Sequence, residues 1–208
     1  MTIPADIFRT MKPQKYEALR SEIQNGDILL FSGPDLSSRF IQWGTKSLWS
    51  HVGFIIRLDH IDRVMLLESV ENVGVHTVAL SNTVYGNKKS LPPYRGKLLI
   101  ARHADFTSVN MHQLKTMSEF AVDRLGSPYA VAEIIKIGMR IMFGMLFNIK
   151  MPQLLQADDE FICSEYVALC YRTIGIQIPW DGLGFIAPSD IANDPKINPV
   201  GVIQTISG

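Results

Sequence analysis

The sequence predicts an α+β fold in which an antiparallel β-sheet or barrel packs against helices. Three observations point there. Apolar runs of strand length, separated by turn residues, recur between residues 27 and 103, and helical patterning takes over from residue 109 onward. The 208 residues, 47% of them hydrophobic, suffice for one substantial core but would leave two independent domains small. A single domain spanning 1–208 is therefore expected.

Taken in order, Pro13 to Asn25 reads as a short amphipathic helix closed by Gly26, and Asp27-Ile28-Leu29-Leu30-Phe31 as a buried strand. Gly33-Pro34 marks a turn. Leu36 to Lys46 gives a weak helical pattern, and Ser50 to Ile56 is a second strand. Asp59 to Arg63 is the polar turn of a hairpin whose return strand is Val64 to Val70, followed by an extended piece from Val73 to Leu80. Ser81 to Gly96, with Gly86, Pro92 and Pro93, reads as a loop leading to a strand at Lys97 to His103. Val109 to Leu125 is helical and stops at Gly126-Ser127-Pro128. A further helix covers Ala130 to Asn148, inside a helical insertion over about 130–157. Phe161 to Ile174 is the next, with Asp158, Asp159 and Glu160 suited to its N-terminus and Gly175 to its C-cap. Past Pro179 the chain turns irregular, with a last strand at Val200 to Ile206.

Composition excludes several function classes. Twenty basic and twenty acidic residues cancel, and no segment concentrates Lys or Arg, so nucleic acid is not an expected partner. The two cysteines, Cys163 and Cys170, are separated on one helix by about 10 Å of rise, too far for a disulfide, which points to a reducing compartment. Met1 to Thr10 lacks the pattern of a secretory signal, so a cytoplasmic location is expected. Val131 to Ile149 is strongly apolar but carries Glu133, Lys136 and Arg140, and its uninterrupted run is too short to span a bilayer. Its apolar face is assigned first to a core or homo-oligomer contact and second to a membrane interface. The histidines and cysteines show no metal-ligand spacing and no glycine loop cradles a phosphate, so neither a metal nor another cofactor is expected.

The chemistry-bearing candidates begin with Cys163, in the first turn of its helix, where unpaired amides and the helix dipole favour a thiolate. Cys170, two turns deeper on the stripe of Val167 and Ile174, reads as a core residue. A cysteine nucleophile needs a base, and the histidines are at 51, 60, 76, 103 and 112. His51 is preferred because it opens an apolar strand between the small residues Ser50 and Gly53, whereas His60 lies in a polar turn and His112 on a polar helix start. An acid returning on the hairpin would fix the imidazole tautomer, and Glu68 and Glu71 both compete for that place.

Several segments together are similar to the signature blocks of the NlpC-type cysteine peptidases, a papain-like superfamily that cleaves murein peptides. Gly26-Asp27-Ile28-Leu29-Leu30-Phe31 resembles its Gly-Asp strand, and Ser50-His51-Val52-Gly53-Phe54-Ile55-Ile56 its catalytic-histidine strand. Leu66-Leu67-Glu68-Ser69 with Gly74-Val75 resembles the strand of the third triad member, which prefers Glu68 to Glu71. Leu125-Gly126-Ser127-Pro128-Tyr129 and Phe161-Ile162-Cys163-Ser164-Glu165-Tyr166-Val167 resemble its Leu-Gly-x-Pro-Tyr and Asp-Cys-Ser-Gly blocks. Here the cysteine block follows the histidine. That is the order of the circularly permuted branch, which includes YiiX-like proteins and the lecithin:retinol acyltransferase relatives.

The resemblance implies a permuted papain-like fold and a thiol hydrolase with Cys163 as nucleophile, His51 as base and Glu68 as orienting acid. It implies that Tyr129 helps hold the oxyanion and that Ser50, Ser164 and Glu165 stand beside the substrate. The expected substrate is a small peptide or amide, murein-derived by analogy. The alternatives are a lipid acyl group handled by the same triad and a catalytically silent binding module. Two departures bear on specificity: Ile162 stands where the family often has Asp, and Ser164-Glu165 replaces Ser-Gly. The segment between Tyr129 and Cys163 is also long for the family, which suits a lid, a dimer surface or a membrane-facing helix.

Overall fold

Residues Ile28–Ser32 form β1, His51–Leu58 β2, Arg63–Val70 β3, Gly74–Ala79 β4, Lys97–His103 β5 and Ile197–Ile203 β6. They pair antiparallel in the order β4-β3-β2-β1-β5-β6. This computed structural model describes residues 3–87, 92–129, 162–180 and 186–206. The helical insertion expected over 130–157, including the 131–149 helix, lies outside the described residues. The sheet is open, with β4 and β6 as its edges, so the sheet half of the expected sheet-or-barrel stands and the barrel half does not.

β1 is buried on both faces because it runs through the middle of the sheet, and its residues divide by parity. Ile28 and Leu30 join Val52, Phe54, Leu67 and Leu99 in the larger core; Leu29 and Phe31 join Ile55, Leu66, Leu98 and Ile100 in the other. The helices cover both faces: α1 (Ile7–Thr10), α2 (Tyr16–Leu19), α3 (Leu36–Thr45), α4 (Leu80–Tyr85), α5 (Met111–Asp123), α6 (Cys163–Arg172) and α7 (Pro188–Asn193).

Three elements differ from expectation for local reasons. The helix expected from Pro13 to Asn25 shrinks to α2, because Gln14 spends its backbone on the sheet edge, donating to the Val202 carbonyl at 2.8 Å and accepting from Gln204 N at 2.7 Å. The expected loop 81–96 opens with α4, a turn and a half that buries Leu80, Thr83 and Val84 at i, i+3 and i+4. The irregular stretch after Pro179 contains α7, with Pro188 at its first position.

α6 is the helix that matters for chemistry. Eight of its ten residues are buried, so it runs through the interior against β2 and β3. Its buried hydroxyls all reach backbone carbonyls: Tyr166 Oη donates to the Ala121 carbonyl at 2.7 Å, Tyr171 Oη to the Gly26 carbonyl at 2.8 Å, and Ser164 Oγ to the Ile186 carbonyl. These bonds tie the helix to α5, to the start of β1 and to the segment leading into α7. The Gly26-Asp27 pair is part of the same frame. Gly26 has φ +84°, and a Cβ there would lie 1.9 Å from the Phe106 ring. Asp27 is fully buried and accepts from Arg102 Nε at 2.6 Å, Arg102 Nη2 at 2.8 Å and Gln24 N at 2.8 Å, which fastens β1 to β5.

Candidate active site

The site forms where the sheet splays. β2 and β3 pair from Leu58↔Arg63 to Phe54↔Leu67, and beyond that rung the recorded pairing stops while β3 stays with β4. Continuing the register by one residue sets Glu68 across from Gly53. On the diagonal from that rung, Glu68 Oε2 lies 2.6 Å from His51 Nε2. Glu71, the competing acid, sits on the cavity rim instead.

Cys163 enters from the other side, at the first turn of α6. It shares a hydrogen bond with His51 and accepts from the backbone N–H groups of Val52 and Ser164. Since Glu68 takes His51 Nε2, the nitrogen left for the thiol is Nδ1. The end of the β2–β3 ladder explains the Val52 donor: its N–H has no strand partner on that side and turns to the sulfur.

The electrostatics favour an ion pair. Burial opposes a thiolate at Cys163, but the His51 charge, the hydrogen bond from His51 and the two backbone donors outweigh it and bring the thiol below its ordinary value. Burial likewise opposes charge on His51, while the Cys163 thiolate and then Glu68 raise it to about 10. Glu68, buried but bonded to His51 and His76, is held down to about 2. Cys170 differs. Burial pushes its thiol well up, and its side-chain hydrogen bond is with Tyr166, as expected for a core cysteine.

These groups open onto a cavity of about 490 Å³. Phe31, Phe40, Ile41, Val70, Pro92 and Ile162 supply apolar lining, and Cys163, His51, Glu68, Ser50, Ser164 and Tyr129 reach it as well. Glu165 is not among the described lining residues, although its charge is felt at Tyr129. Burial and then the Cys163 thiolate raise the Tyr129 phenol, which keeps it a proton donor beside the sulfur. The Ser50 and Ser164 hydroxyls are both committed to the frame. Ser50 Oγ accepts from Gly33 N at 3.1 Å and Ser164 Oγ serves the Ile186 carbonyl, so Ser164 offers the site its backbone N–H.

Sequence reasoning missed two side chains here. Tyr94 lines the cavity, stands edge-on to Phe31 at 5.1 Å and hydrogen-bonds Ser50; it sits in a Gly/Pro-rich connection that offers no periodic signal. His76 is the cross-strand partner of Glu68. Counting back from the turn at Gly74 would have found it.

Residues 22–183 match the family described as permuted papain-like amidase enzyme, YaeF/YiiX, C92 family. Among solved structures, the crystal structure of metalloprotein yiiX from Escherichia coli O157:H7 superposes with a TM-score of 0.59 at 18% identity, covering 88% of this chain and 97% of that one. At that identity the likeness is one of fold. Among the described residues no three His, Cys, Asp or Glu side chains are grouped to hold a metal ion. The comparison with curated proteins finds no match. The matched region includes Cys163, His51 and Glu68, with the histidine strand ahead of the cysteine helix, and the chain belongs to the permuted papain-like amidases of the YaeF/YiiX, C92 family, a family of cysteine peptidases and amidases.

Proposed function

We propose that this cysteine hydrolase cleaves a small peptide or amide through an acyl-thioester on Cys163, with His51 as the proton carrier and Glu68 as its orienting acid. The observation that carries the reading is the buried array of Cys163, His51 and Glu68 at the head of the apolar cavity, with its 2.6 Å carboxylate–imidazole bond. The Cys163 thiolate adds to the scissile carbonyl carbon. The oxyanion that forms is held by the Cys163 backbone N–H at the start of α6 and by the Tyr129 phenol. His51 Nδ1–H then protonates the departing amine as the C–N bond breaks, leaving the acyl-thioester and a neutral imidazole. That imidazole takes a proton from water, which adds to the thioester and releases the acid and the thiolate. Recycled murein fragments in the cytoplasm suit this chemistry by family analogy.

The apolar lining favours a second reading of the acyl group. A cavity walled by Phe31, Phe40, Ile41 and Ile162 offers an alkyl chain as much contact as a peptide, so a lipid ester is the rival substrate.

Iodoacetamide tests the thiolate. In the native chain Cys163 should alkylate at pH values well below those of a free thiol, because His51 holds its proton up to about 10. His51→Ala should return the profile to that of an ordinary thiol. An ordinary profile in both chains would leave the silent binding module as the better account. Nitrophenyl esters of increasing chain length then separate the two substrates: rates rising steadily with chain length favour the lipid, and a preference for short acyl groups favours the peptide.

A further inference from the structure

We infer that His76 is a positioning residue for the same reaction, holding the second oxygen of Glu68 so that the first stays on His51. The inference rests on the functional reading above, since it deepens the role of that acid.

Glu68 has two carboxylate oxygens and the fold gives each a histidine. Oε2 meets His51 Nε2 at 2.6 Å, and Oε1 lies 3.4 Å from His76 Nε2. The two histidines reach the acid from opposite sides, one from β2 and one from β4, and Glu68 itself pairs with His76 across the ladder. His76 Nε2 is closed off from solvent and has no other hydrogen-bond partner among the described residues, which leaves the 3.4 Å contact with the carboxylate as its polar contact. A carboxylate held at one oxygen can rotate about its last torsion. Held at both, it presents one lone pair to His51 and keeps its charge there.

The strand that carries His76 is itself pinned on its outer edge. Val75 N donates to the Ser127 carbonyl at 2.8 Å, and Val75 O accepts from Gly126 N at 2.8 Å, so the turn after α5 takes the place of a further strand. Gly74 permits that approach: its φ is +83°, and a Cβ there would lie 2.2 Å from the Ser127 carbonyl oxygen. Tyr129 follows in the same turn. The chain thus sets the position of His76 from both sides and links it to the segment that carries the site tyrosine.

The test measures alkylation of Cys163 by iodoacetamide at about pH 6, read on the Cys163 peptide, in the native chain and in His76→Phe, His76→Gln and His51→Ala. His76→Phe should slow the reaction about tenfold, the loss expected from one charge-assisted hydrogen bond, with the melting temperature retained. His76→Gln, whose amide reaches about as far as Nε2, should restore the rate to within about twofold of native. A His76→Phe rate equal to native, or a His76→Gln rate as low as that of His76→Phe, overturns the inference while a slow His51→Ala leaves the thiolate reading intact. A native rate no higher than that of His51→Ala overturns both.

Discussion

Replacing Cys163 by Ala is expected to abolish turnover of any amide or ester the native chain hydrolyses, a fall on the order of 10⁶ in kcat, because no other group can form the acyl intermediate. Cys170 cannot substitute for it: its thiol is raised by burial, it hydrogen-bonds Tyr166, and it lies two turns along the helix. Folding should survive the change. Cys163 is only 4% exposed, so the loss of its sulfur leaves a small void, but α6 keeps its bonds from Ser164, Tyr166 and Tyr171, and the cost should stay within about 2 kcal/mol by urea unfolding. A second readout separates chemistry from damage. The Cys163 thiolate is the foremost influence raising His51, so in Cys163→Ala the imidazole should titrate below its native value by NMR, with Glu68 still holding it up. Retained turnover in this variant would remove Cys163 from the mechanism. A fully active Cys170→Ala would complete the contrast between two cysteines on one helix.

Much of this was legible because it depends on local pattern. The strand at Lys97–His103 has the expected boundaries, since its flanks are polar and its interior apolar. Cys163 could be placed at a helix start from the acids before it and the apolar stripe after it. His51 stood out by opening an apolar strand beside small residues. What sequence hid is set by tertiary geometry. Whether a sheet closes depends on strand number and stagger, which no single run encodes. The last strand begins at Ile197, earlier than expected, because Pro199 argues against a strand; on an edge strand the missing N–H costs little, and the register shift at Ile100/Ala101 accommodates it. The choice between Glu68 and Glu71 turned on register, which the hairpin pattern leaves open by a residue or more, so that only the resemblance to the family's third triad strand preferred Glu68. The Val52 N–H could not be foreseen at all. Its availability follows from the place where two strands part, and a backbone donor leaves no mark in a sequence.

Glu68→Gln should separate the orienting acid from a mere neighbour, and its effect follows from counting acceptors. The native carboxylate offers an oxygen to each of two histidines, whereas an amide offers one oxygen and turns an NH₂ toward the other. Whichever way the amide lies, His51 loses the negative charge that helps keep it protonated, and in one of the two orientations it also loses its acceptor. Turnover should fall on the order of 10⁴-fold, as when the acid of a hydrolase triad is neutralised. The acidic limb of Cys163 alkylation should move to higher pH, because a weaker imidazolium stabilises the thiolate less. Stability supplies an independent check with a definite sign. Glu68 in the folded chain is held to about 2, below its ordinary 4.5, so its contribution is complete above about 4.5 and is lost as the pH falls towards about 2. That contribution is on the order of 3 kcal/mol. Urea unfolding of the native chain should therefore weaken across this acid window, and Glu68→Gln should show a correspondingly flatter dependence there with a lower stability at neutral pH. If the variant and the native chain lose stability in parallel between about pH 4.5 and 2, the ionised Glu68 is not what holds His51, and the acid of this site must be sought elsewhere.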